Sequence, residues 1–111
     1  MHQTLVGALL MALSAGALAD FFDGKELMAR CDSVRADEIN TCLGYLAGVS
    51  DSDRAAPAWR SQKSLFCVPQ GVTASQLRRV LVAYLHQHAE QMEFNASILV
   101  GNAFLDAYPC D

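Results

Sequence analysis

Apolar residues fall at helical spacing in four stretches of the chain. In the first, Phe22 and Leu27 flank Asp23-Gly24-Lys25-Glu26. This has the form of a helix start, with Asp23 as cap, Glu26 completing a capping box, and Phe22 and Leu27 as the hydrophobic staple. The helix is expected to end near Cys31 or Asp32. The second runs from about Asp37 to Ala56. Ile39, Cys42, Leu43, Leu46 and Val49 recur there at intervals of three and four, which lines one apolar stripe along a helix. Pro57 reads as its stop. Thr73-Ala74-Ser75-Gln76, with Val72 and Leu77 as staple, opens the third. Leu77, Val80, Leu81, Tyr84, Leu85 and His88 form its apolar face. The fourth starts near Asn95 and carries Ile98, Leu99, Ala103 and Phe104 towards Tyr108-Pro109-Cys110. Residues 57–72 hold Trp59, Pro69 and Gly71, show no period, and read as a long ordered loop. No stretch reads as a strand. The expected fold class is all-α, a compact bundle of about four helices.

A fifth apolar stretch, residues 5–19, is of a different kind. It is almost wholly apolar, carries no charge, and ends in Ala17-Leu18-Ala19. Fifteen helical residues rise about 22 Å, short of the roughly 30 Å hydrocarbon core of a bilayer. Small residues at −3 and −1 mark a secretory signal peptide over residues 1–19, cleaved after Ala19 and before Asp20. One departure is that residues 1–4 contain no Lys or Arg. Cleavage leaves a single domain, 20–111, expected in the periplasm with no membrane segment.

The 111 residues carry a formal charge of −4 from 12 acidic and 8 basic side chains. Nucleic-acid binders neutralise phosphate with clustered Lys and Arg. Here the only adjacent basic pair is Arg78-Arg79. Barrel and dinucleotide-binding enzyme folds need a longer chain.

Cys31, Cys42, Cys67 and Cys110 all follow the signal, and an even count in a small exported domain reads as disulfides. Zinc spacing is missing, because no Cys-x-x-Cys occurs. Four cysteines allow three connectivities. If helices one and two form a hairpin, Cys31 at the end of one meets Cys42 in the second turn of the next. If helices three and four run antiparallel, Cys67 ahead of one meets Cys110 behind the other. Cys31–Cys42 with Cys67–Cys110 is therefore the expected pairing, each bridge contributing roughly 3–4 kcal/mol in the entropy model.

Catalytic motifs are scarce. His86 and His88 are two apart on a helix, too far around it to share a metal, and read as one exposed and one half-buried side chain. Asp51 and Asp53 read as a solvated acidic face. Asn95-Ala96-Ser97 fits a glycosylation sequon, but Asn95 is more simply a helix cap. No Gly-x-Ser-x-Gly elbow is present. No enzyme activity, cofactor or metal is expected. Arg54, Trp59, Arg60 and Lys63 lie within ten residues, and Trp and Arg are the side chains that most often anchor protein interfaces. With Asp51 and Asp53 they form the candidate partner-binding set. The competing expectation is that Trp59 folds back onto the core.

The order of these motifs resembles the Rap/Tai-type immunity family of bacterial type VI secretion. The resembling residues are Phe22-Asp23-Gly24 with Leu27 and Cys31, then Cys42-Leu43-Gly44-Tyr45-Leu46-Ala47-Gly48-Val49 and Asp51. Phe66-Cys67-Val68-Pro69, Gly71-Val72-Thr73, Leu77, Tyr84-Leu85 and Ala103 with Tyr108-Pro109-Cys110 follow. His88-Ala89 departs from the family's frequent His-Pro. The resemblance implies a periplasmic, all-helical, non-enzymatic protein. Its characterised relatives block a secreted peptidoglycan amidase, often as dimers, with a loop or helix end entering the enzyme's cleft. The alternative for a small, acidic, disulfide-bonded exported domain is an acid-stress chaperone of HdeA type, loosened as its carboxylates take up protons.

Overall fold

Residues 21–111 are described by the computed structural model; the expected signal peptide and its cleavage site lie outside them. Four helices form near the expected positions: α1 (Gly24–Cys31), α2 (Ala36–Arg60), α3 (Ala74–Gln87) and α4 (Ala96–Ala107). A short 3-10 turn, Ala89–Gln91, follows α3. No strand occurs among the described residues, only an isolated antiparallel bridge between Asp23 and Asn95.

The helix starts rest on local chemistry. The Asp23 carboxylate accepts from Glu26 N at 2.9 Å, without the reciprocal bond of a full capping box. At α3 the box is complete: Thr73 Oγ1 accepts from Gln76 N, and Gln76 Oε1 accepts from Thr73 N. Asn95 caps α4 by accepting from Ser97 N at 2.9 Å. Such caps satisfy amide donors that the first helical turn leaves without partners. At the other end of α1, Arg78 of the basic pair donates to Cys31 O at 2.7 Å and Ser33 O at 3.2 Å. Its charge is spent on carbonyls at and just beyond the helix end.

Leu27 of α1, Leu46 of α2, Leu77, Leu81 and Leu85 of α3, and Leu99, Val100 and Phe104 of α4 bury one another. Phe66, between α2 and α3, closes this core edge-on to Phe104, with ring centroids 5.3 Å apart. Each helix touches the other three. Both expected disulfides form, Cys31–Cys42 and Cys67–Cys110, and no described cysteine is free.

One boundary differs from expectation. Pro57 does not end α2, which runs on to Arg60 and stops at Ser61 in the left-handed conformation (φ 52°). The irregular connection to α3 is correspondingly shorter, and Trp59 and Arg60 belong to a helix rather than a loop. The reason lies in contacts made from outside the helix.

Candidate functional site

A proline inside a helix deprives the carbonyl four residues earlier of its donor. Here that carbonyl belongs to Asp53, and Ser64 Oγ donates to it at 3.0 Å. The Asp53 side chain completes the tie: its carboxylate accepts from Leu65 N at 2.7 Å and from Phe66 N at 3.3 Å. One residue thus holds the connection after α2 against the helix on three hydrogen bonds. The expectation of a solvated Asp51–Asp53 face needs correcting in half. Asp51 is exposed, but Asp53 is half-buried and engaged with backbone.

The tie fixes the last turn of α2, and with it the candidate anchor. Trp59 is 73% exposed, so it does not fold back onto the core. Arg54, Arg60 and Lys63 are also exposed. The helix spreads these side chains rather than gathering them on one face. Arg54 lines a small pocket of about 220 Å³ with Ser50, Asp53, Ser64 and Cys67. Arg60 borders a groove of about 430 Å³ that also includes Tyr45, Leu65 and Ser97. Asp53 and Phe66 form the wall between the two. Trp59, one residue from Arg60, lies about 100° around the helix from it.

The groove was not anticipated from the sequence. Its floor is Gly44, Gly48 and Ser52 of α2, and both glycines have open space where a Cβ would stand. The signal was the run of small residues four apart, which share one helix face. Leu65, 50% exposed, forms part of its rim and packs on Gly101 of α4. Tyr45, which also lines the groove, stacks on Phe22 with ring centroids 5.5 Å apart. Burial pushes the Tyr45 phenol above its ordinary range, and a hydrogen bond with Ser97 partly opposes that.

The two histidines are used separately. His86 is exposed and meets Asp32 at 3.0 Å. His88 is half-buried, stacks on Tyr84 with centroids 3.9 Å apart, and its Nδ1 donates to Tyr84 O at 2.8 Å. Among the described residues no cluster of three or more His, Cys, Asp or Glu is placed to hold a metal, and no helix is long and apolar enough to cross a membrane.

Curated proteins provide no match to the chain. The profile of the Rap1a immunity proteins matches residues 23–110, from the cap of α1 to the last cysteine of the second bridge. With that span covering most of the sequence and all four helices, the chain belongs to the Rap1a immunity protein family.

Proposed function

We propose that this chain is a periplasmic immunity protein that binds a secreted peptidoglycan amidase and occludes its cleft. The observation that carries the reading is Trp59: a large indole held in solvent on the last turn of a helix whose end is fixed by Asp53, Ser64 and Pro57. A pre-ordered anchor loses little conformational freedom on binding, so more of its contact energy appears as affinity. In this reading Trp59 enters the enzyme's cleft, Arg60, Lys63, Arg54 and Asp51 meet its surroundings from different sides of the helix end, and Asp53 holds the segment in place. The chain contributes no catalysis. It acts by covering the amidase's cleft, and association as a dimer belongs to the same proposal. Membership of an immunity family favours this inhibitor over the acid-stress chaperone.

The experiment is co-expression in the periplasm with a candidate secreted amidase, should one be encoded beside this gene. Lysis should be suppressed by the intact chain. Trp59→Ala should weaken binding by about 2 kcal/mol or more, near thirtyfold in Kd, as interface tryptophans do. Its stability should change by no more than about 0.5 kcal/mol, because the side chain is exposed. Lysis that continues with the intact chain present, or a Trp59→Ala variant that binds as tightly as the parent, overturns the reading.

A further inference from the structure

The two disulfides stand in opposite environments. Cys31 and Cys42 are both 0% exposed and lie within the leucine core. Cys67 and Cys110 are both exposed. A thiolate must approach a disulfide along its sulfur–sulfur axis, so access governs exchange as strongly as chemistry does. Beside the exposed bridge lies the pocket lined by Cys67, Ser50, Asp53, Ser64 and Arg54, so that Cys67 and an arginine share its wall while Cys110 lies outside its lining. A neighbouring cation stabilises a cysteine thiolate, and a stabilised thiolate is the better leaving group.

We propose that Cys67–Cys110 is a site of thiol–disulfide exchange in the folded protein, open to dithiols, while Cys31–Cys42 is closed to them. The geometry points to attack on the Cys110 sulfur. A reagent thiolate bonds to Cys110 Sγ, the bridge breaks, and Cys67 leaves as a thiolate at the pocket that Arg54 also lines. The reagent's second thiolate then attacks its own sulfur in the mixed disulfide and releases Cys110. The dithiol ends as a disulfide, two electrons have passed to the bridge, and two protons from solvent complete the two cysteine thiols. The fold survives this step because other bonds hold the same segments. Cys67 N donates to Tyr108 O at 2.8 Å, and Asp53 keeps Leu65 and Phe66. A chain with one bridge open therefore stays folded while the segments around Cys67 and Cys110 loosen. None of this depends on which partner the protein binds.

The test uses the oxidised, signal-free protein in native buffer with dithiothreitol. Samples are quenched with N-ethylmaleimide at intervals and mapped by peptide mass. Cys67 and Cys110 should be labelled together, on the order of tenfold or more faster than Cys31 and Cys42, since a buried bridge waits for local or global opening. Far-UV circular dichroism should be unchanged at the one-bridge stage. Arg54→Gln should slow the first step, and more so at low salt than at high salt. Simultaneous labelling of all four cysteines, labelling of Cys31 and Cys42 first, or loss of helix with the first bridge overturns the proposal. An Arg54→Gln rate equal to the parent's overturns the assignment of Cys67 as the leaving sulfur.

Discussion

Gly24 sits where α1 crosses close to the backbone ahead of α4. A Cβ there would lie 2.7 Å from Leu99 Cδ1 and 2.8 Å from both Met92 Cα and Met92 O. The leucine tip can turn aside, but the Met92 backbone cannot, because Lys25 N donates to that same carbonyl at 3.2 Å. Gly24→Ala should therefore cost about 1–2 kcal/mol net, overpacking outweighing the better helix propensity of alanine. Urea unfolding should show a lower midpoint at unchanged m. Tyr45 gives a residue-scale prediction in pH. Its phenol is raised by burial, so the folded state keeps the proton longer than the unfolded chain does. Stability is then intact below the ordinary phenol value of about 10 and falls as pH rises through it towards the folded value. Tyr45→Phe should flatten that alkaline decline, and parent and variant with the same decline in denaturant midpoint would refute it. These two residues were visible in the sequence only as a motif, Phe22-Asp23-Gly24, and as a Gly-Tyr pair. Their neighbours, Met92, Leu99 and Ser97, come from the far end of the chain.

Helix starts and helix ends were not equally legible. Asp23, Thr73 and Asn95 act within three residues of themselves, so a local pattern is enough to place the starts of α1, α3 and α4. The end of α2 depends on bonds between Asp53 and residues 11 to 13 further on, and no local rule contains them. Pro57 is a correct stop signal overridden by a donor that tertiary structure brings to the orphaned carbonyl. Asp53→Ala removes the two amide acceptors and should cost about 1–2 kcal/mol, in the range of a lost helix cap with a buried amide left unpaired. Hydrogen exchange should rise first at the Leu65 and Phe66 amides. An unaltered exchange pattern would show that Ser64 alone holds the segment. Trp59 follows the same logic: whether it was core or surface depended on where α2 ended.

At the scale of the molecule, the disulfide pairing was readable because topology decides which helix ends meet. The groove over Gly44 and Gly48 was not, since a face of small residues acquires walls only when Leu65 and Tyr45 are folded onto it. The two bridges close chain separations of 11 and 43 residues, for which chain entropy gives about 3 and about 4 kcal/mol. Replacing Cys67 and Cys110 with serine should cost about the second figure. Replacing Cys31 and Cys42 with alanine should cost more than the first, because two fully buried sulfurs also leave the core. Guanidinium unfolding of the two double variants measures both losses, and a loss below about 3 kcal/mol for the buried pair would contradict this.

The same two bridges divide the chain into covalent loops arranged in series, with residues 43–66 belonging to neither. A single proteolytic nick between 88 and 95 would leave two fragments still joined through Cys67–Cys110. A nick at the exposed positions 61–63 would leave α1 and α2 in one piece and α3 and α4 in another, held together by packing and hydrogen bonds with no covalent link. The segment beside Trp59 is thus where one cut turns a single chain into a dissociable pair, and dilution of the nicked protein would measure how strongly the two helical halves recognise each other.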